Sequence, residues 1–247
     1  MSLRDEYLIV QGLESYTPER KEGRERIKLF GKIYEENKEF FGSKILDLAC
    51  GGGIFSNFLA EKGHRVVGID ILEDMLKIAR KFAPKTNKPK FIRADLLKFE
   101  FKEKFDTAIF LGNSITHFSP KNFAKLVANV KEKIKYFVIS YRDSVSWGFT
   151  NTLKLIIIEE KEKFDVVDLY KGYEEEEGKI VKYRIIFPLN KKVVADYYLY
   201  NPATVEGIMF ASGFKLVKRV KTESEMEKYF DFYENLNVQK IRNEQIA

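Results

Sequence analysis

The first half of the chain alternates apolar runs of strand length with apolar residues at helical spacing. Ile27, Leu29, Phe30, Ile33, Tyr34, Phe40 and Phe41 recur at near-helical intervals, which predicts an amphipathic helix over Glu25–Phe41 ending near Gly42. Lys44–Ala49 is a short apolar run entering Gly51–Gly53, a buried strand followed by a tight turn. Ile54–Lys62 reads as a helix stopped by Gly63. The pattern repeats with strand His64–Ile69 and helix Glu73–Phe82, the latter closed by Ala83-Pro84. Lys90–Arg93 is a third strand and Phe105–Leu111 a fourth, broken by Gly112–Ser114. Helix Pro120–Lys133 follows, with Phe123, Leu126, Val127 and Val130 on one face, and then strand Tyr136–Ser140. Strands separated by helices at this pitch imply a parallel sheet covered on both faces, with right-handed crossovers.

After Trp147 the rhythm changes. Leu153–Ile158, Lys163–Tyr170, Lys179–Phe187 and Val193–Leu199 are β-rich segments with short polar breaks and no helix between them, which predicts an antiparallel inserted sheet. Pro202–Ala211 then reads as a helix, Phe214–Val220 as a strand and Glu223–Asn237 as a closing helix. The whole is read as one domain over 1–247. Its core is 25–150 and 201–222, its inserted sheet is 151–200, and 1–24 forms an N-terminal lid with Tyr16, Arg20 and Arg24.

Composition narrows the function classes. The 247 residues are 45% hydrophobic and 32% charged, an ordinary globular balance. No apolar run approaches the roughly 18–20 residues that span a bilayer, and Met1–Val10 is charged rather than signal-like, so a cytoplasmic location is expected. Cys50 is the single cysteine, and His64 and His117 are the two histidines, with no HExxH spacing, so no metal site is expected. The net charge of +6 permits a nucleic acid partner, but the lysines alternate with glutamates, as in Glu159–Lys163, which suits a solvated surface. The Lys/Glu richness also fits a thermophile.

The chemistry concentrates at Ile45–Gly53. A buried strand delivers the chain to a turn without side chains at Gly51, Gly52 and Gly53, where backbone approaches a ligand closely and the next helix points its N-terminus at it. A plain strand-to-helix turn is the alternative, and three consecutive glycines exceed its needs. The dinucleotide fingerprint G-x-G-x-x-G fails, because Ser56 stands where its third glycine falls. Asp47 on the strand would repel a pyrophosphate and suits a cation. Asp70 ends the second strand where a ribose diol is read, or else caps the following helix.

Asp47–Gly53 resembles the first motif of class I S-adenosylmethionine-dependent methyltransferases. Val66–Asp70 resembles the second, Phe91–Leu96 the third and Phe105–Gly112 the fourth, while Tyr200–Phe214 is similar to the late helix and final antiparallel strand of that fold. The resemblance covers roughly residues 25–220. It implies a Rossmann-like, seven-stranded, mostly parallel sheet with helices on both faces, and S-adenosylmethionine as cofactor. It also implies roles. Asp47 and the backbone of Ala49, Cys50, Gly51 and Gly53 would face the methionine part. Asp70 would take the ribose hydroxyls, Ile71 and Met75 would border the adenosine, Asp95 would accept the adenine amino group beside Leu96, and Asn113 would border the sulfonium. Ala49 departs from the family, standing where glycine is common.

The stretch Gly112–His117 resembles that of the glycine and sarcosine N-methyltransferase group, and Val138–Asp143 resembles that group's segment with a carboxylate-binding arginine. The likeness makes Arg142 a candidate substrate anchor and His117 a pocket residue. A guanidinium fork matches a carboxylate bidentately; a surface salt bridge for Arg142 and a satisfied histidine under the loop are the alternatives. Ser140 stands where that group has an acid. The expected function is methyl transfer to a small-molecule acceptor such as an amine or amino acid, by a monomer or homodimer. A tRNA or rRNA methyltransferase and a non-catalytic S-adenosylmethionine-binding protein remain open.

Overall fold

The computed structural model describes residues 17–146, 156–160, 165–187, 191–224 and 227–237. Tyr16, Trp147 and most of the expected N-terminal lid fall outside them. The main sheet has seven strands: β1 (Lys44–Leu48), β2 (Arg65–Asp70), β3 (Lys90–Arg93), β4 (Thr107–Phe110), β5 (Tyr136–Tyr141), β10 (Phe214–Lys221) and β11 (Tyr229–Asn235). Their order is β10-β11-β5-β4-β1-β2-β3. β1 to β5 pair in parallel, while β11 runs antiparallel to both β5 and β10.

The helices are α1 (Lys21–Glu35), α2 (Ile54–Glu61), α3 (Glu73–Lys81), α4 (Pro120–Lys131) and α5 (Pro202–Ala211). Sheet pleat sends alternate residues to opposite faces, so two cores form. Ile45, Val66, Ile109 and Val138 meet Phe30 and Ile33 of α1 and Phe55 and Leu59 of α2. Leu46, Ala108, Phe137 and Ile139 meet Phe123 and Val127 of α4 and Val205 and Met209 of α5. Helix starts follow their sequence signals: Ser119 and Asn201 each accept a backbone N–H at the head of α4 and α5, ahead of Pro120 and Pro202. α1 begins earlier than its apolar spacing predicts and stops at Glu35, where the buried Asn37 amide donates to Ile33 O (2.6 Å) and a 3-10 turn, Lys38–Phe40, takes over.

The inserted segment forms a separate antiparallel sheet in the order β6-β7-β8-β9, from Ile156–Glu160, Asp165–Glu174, Lys179–Phe187 and Lys191–Tyr198. Among the described residues no helix is long and apolar enough to cross a membrane.

Two expectations need correction. The closing helix over Glu223–Asn237 is instead a strand, β11. Tyr229-Phe-Asp-Phe-Tyr233 is rich in aromatic strand formers, and the strand sits inside the sheet, so both faces are buried and the alternation that marks a half-buried strand is missing. Phe230 and Phe232 join the α1–α2 core, and Tyr233 joins the α4–α5 core. The antiparallel strand of the fold is therefore β11. Phe214–Lys221, expected in that role, lies at the sheet edge and runs in the same sense as β5.

One polar cluster fastens β11 in place. Asp231, fully buried, accepts from Arg219 Nε (2.7 Å) on β10, from Tyr141 Oη (2.7 Å) on β5 and from Tyr233 Oη (3.1 Å). Asp231→Ala leaves a guanidinium and two buried hydroxyls without this partner. Because Arg219 is partly solvated, the expected loss lies at the lower end for broken buried pairs, about 3 kcal/mol, measurable by urea titration. A loss under about 1 kcal/mol would remove Asp231 as the clasp of this edge.

Candidate active site

Strand order reverses between β1 and β4, and ligands of open α/β sheets bind beyond the carboxyl ends at such a switch point. A cavity of about 240 Å³ opens there. Its floor is the turn from β1 into α2. Ala49 (φ 54°), Gly51 (φ 52°) and Gly53 (φ 71°) are all left-handed. A Cβ on Gly53 would also lie 2.6 Å from Ala79 Cβ of α3, so only glycine lets α3 pack this close. Ala49 holds the same conformation with a side chain, which stores strain.

Asp47 leaves β1 on the α2 side and is buried. Ser56 Oγ, from the first turn of α2, donates to its Oδ2 (2.6 Å). The residue that spoils the dinucleotide fingerprint thus holds the strand acid. Burial pushes the Asp47 carboxyl up to about 7; the Ser56 hydroxyl offsets this in part, and the neighbouring Asp70 charge adds to it. Asp70, at the end of β2, accepts Gly51 N–H on Oδ2 (2.8 Å) and Leu72 N–H on Oδ1 (2.9 Å). It ties the glycine turn to the second strand and shapes its own turn rather than capping α3, whose N-cap is Leu72. Burial raises its carboxyl, opposed by these backbone N–H groups. Burial also pushes the Cys50 thiol well up, which keeps it neutral.

Asp95, after β3, accepts Leu97 N–H (3.0 Å) and lies 3.6 Å from Lys98 Nζ. Ile71 is half exposed on the rim, and Met75 and Leu96 close the sides. The cleft therefore presents Asp47, Asp70 and Asp95 among apolar side chains, and among the described residues no lysine or arginine lines it. That wall repels a pyrophosphate and suits a cation bearing hydroxyl and amine donors.

Of the residues expected at the cofactor, Asp47, Ala49, Cys50, Gly51, Asp70, Ile71, Met75, Asp95 and Leu96 meet in this cleft. Gly53 lies behind it as the packing point of α3. Asn113 does not line it: held at φ 60°, it turns its amide toward β5, where Oδ1 accepts Arg142 N–H (3.2 Å). His117 does line it, its ring 5.8 Å from that of Tyr197 on β9, and burial drives its pKa down to about 4, so the imidazole is neutral at pH 7. Arg142 faces a second, smaller pocket of about 20 Å³ with Thr116, Tyr170, Lys182 and Tyr197, between the β4 loop and the inserted sheet. There Asp168 is gripped by Lys182 and by Arg184 (2.8 Å); burial favours its neutral form, and the two cations outweigh that and hold the carboxyl below its usual range. Ile54 and Phe55 also wall the cleft; the sequence marks them only as the start of an apolar helix face.

Comparison with known proteins places this geometry. Residues 45–136 match a family described as a methyltransferase domain. A ubiquinone biosynthesis O-methyltransferase from Idiomarina loihiensis is 46% identical over 50 residues, 20% of this chain and 21% of that protein. A putative methyltransferase, YqeM, from Bacillus subtilis is 38% identical over 80 residues, 32% of each chain. The chain thus spans well under half the length of these curated relatives. Among solved structures, the PH0226 protein from Pyrococcus horikoshii OT3 superposes with a TM-score of 0.72 at 25% identity, over 95% of this chain and 100% of that one. An S-adenosylmethionine-dependent methyltransferase from Clostridium acetobutylicum gives 0.67 at 16% identity, over 85% and 90%.

Two measurements test the site's electrostatics and strain. A carboxyl raised on folding contributes stability below its unfolded pKa and loses it as pH rises through the folded value. Asp47 should therefore cost stability as pH rises from about 4 to about 7. Asp47→Asn should flatten that part of the thermal-midpoint profile, and an unchanged slope would contradict the assignment. Ala49→Gly should relieve the left-handed strain and raise stability by about 1 kcal/mol in a urea titration. An unmoved midpoint would show that Ala49 is not strained.

Proposed function

We propose that this chain, whose residues 45–136 match the methyltransferase domain family, transfers a methyl group from S-adenosylmethionine to a small-molecule acceptor. The observation that carries the reading is a cleft at the sheet's switch point walled by three carboxylates and, among the described residues, by no lysine or arginine. The residues fit the cofactor. The Gly51 turn would leave room for the methionine part, Asp47 would meet its ammonium, Asp70 would take the ribose hydroxyls, and Asp95 and Ile71 would border the adenine.

The bound cofactor supplies an electrophilic methyl group on a sulfonium. The chain's own work is to align, desolvate and leave the acceptor's lone pair unprotonated. His117, half-buried in the β4 loop with its ring against Tyr197 and neutral at pH 7, would add no positive charge beside a cationic cofactor. The inserted sheet covers the acceptor side. Arg142 lines the small pocket between that sheet and the β4 loop, and its planar fork matches a carboxylate bidentately, which supports an acceptor that carries a carboxylate beside its amine.

A methyl-transfer screen with labelled S-adenosylmethionine against amino acids, small amines and total RNA tests this reading. Transfer to a carboxylate-bearing amine is expected. Arg142→Lys keeps the charge but removes the fork, and should raise the acceptor KM roughly tenfold, the cost of about 1.4 kcal/mol, with S-adenosylhomocysteine affinity unchanged. Transfer to RNA alone would overturn the small-molecule acceptor.

A further inference from the structure

The turn between β10 and β11 sends one carboxylate into the interior, far in sequence from any residue of the cleft. Glu227 is 2% exposed. Its Oε1 accepts Gly112 N–H (2.9 Å) and Ser140 Oγ–H (2.7 Å), and Gly112 N–H also reaches Ser140 Oγ (3.0 Å). Its Oε2 lies 3.5 Å from Nη1 of Arg26, a buried residue of α1. The turn that carries Glu227 is braced from within: Glu227 N–H donates to Ser224 Oγ (3.2 Å), Thr222 Oγ1 donates to Glu227 O (2.8 Å), and Thr222 N–H donates to Lys228 O (2.8 Å).

Its partners sit at the end of β4 and near the end of β5. Gly112 (φ 74°) and Asn113 (φ 60°) form two successive left-handed residues, after which the 3-10 turn Ser114–His117 begins. Gly112, Ser114 and His117 line the cleft. Glycine takes this conformation freely, but a left-handed Asn113 costs free energy and persists when surrounding groups over-determine it. Here the fixing groups are the Glu227 carboxylate and Ser140 hydroxyl on Gly112 N–H, and the Asn113 amide on Arg142 N–H. A hydrogen bond to a buried charged acceptor is stronger than a neutral one, so Glu227 is the firmer clamp.

We propose that Glu227 is a positioning residue: with Arg26 behind it, its carboxylate fixes the Gly112–His117 turn and thereby sets the acceptor wall of the cleft. Glu227 itself lines neither pocket and moves no proton in the reaction. It acts through Gly112 and Ser140. The assignment rests on the methyltransferase reading for its effect on rate, whereas its effect on the loop stands without it.

The test uses the full chain with Glu227→Gln, which keeps the shape and removes the charge. Amide hydrogen exchange over residues 111–118 should quicken at least tenfold, while β1 and β2 keep their protection. S-adenosylhomocysteine affinity by calorimetry should stay within threefold. In methyl transfer to the acceptor found by the screen, kcat should fall at least tenfold with cofactor KM within threefold. Unchanged exchange over 111–118, an unchanged kcat, or cofactor affinity falling in step with kcat would each overturn the proposal. If Glu227→Gln fails to fold, Ser140→Ala decides alone: a threefold or greater loss of kcat with quickened exchange in the same segment is expected, and wild-type values overturn it. A wild-type protein that does not bind S-adenosylhomocysteine would refute the methyltransferase reading, and the exchange comparison would still decide whether Glu227 holds the loop.

Discussion

Carboxylates that share a dry cleft resist ionisation, and the site is organised around that cost. Asp47 and Asp70 stand on adjacent strands, both buried and both with raised pKa values. The fold stabilises their charged forms with donors that carry no net charge: Ser56 for Asp47, and the N–H groups of Gly51 and Leu72 for Asp70. A lysine or arginine there would satisfy the acids more strongly, but it would also neutralise the field that a cationic ligand needs. Dipoles partly compensate the buried charge while leaving the cleft negative. Asp70 also acts on structure, because its bond to Gly51 N–H joins the glycine turn to the neighbouring strand.

Much of this was legible in the sequence, where local chemistry and periodicity agree. Lys90–Arg93, Lys179–Phe187 and Pro202–Ala211 have the boundaries their patterns predict. The glycine turn and the acids at Asp47, Asp70 and Asp95 announce themselves because each is a polar or side-chain-free position next to an apolar strand. The seventh strand was not legible as such, since burial on both faces removes the alternation that separates strand from helix. Asn113 shows a different limit. Its position beside the cleft is readable from the loop, but the direction of its amide depends on where β5 ends. Glu227 lies beyond what spacing can indicate, since it meets Gly112 across 115 residues of chain. Ser140, a departure from the resemblance when read alone, proves to be one of the groups on which that carboxylate rests.

The second sheet has a polar interior of its own. Along β7 to β9, Asp168, Lys182, Arg184, Val193 and Ala195 are buried, while Val194 points outward. Burying ions is costly unless they are paired, and here the Asp168 cluster pairs them. Its inner face meets the core through Tyr197 and His117.

The position of β11 also constrains how the protein is made. It is synthesised after every other strand of the main sheet, yet it lies between β5 and β10 rather than at an edge. On the ribosome, β5 must therefore wait with an unpaired flank, its amides and carbonyls open to other nascent chains, until Asn235 has emerged. A protein with a central strand delivered so late completes its sheet in one late step, and its yield in the cell should depend on chaperone capacity more than its final stability would suggest.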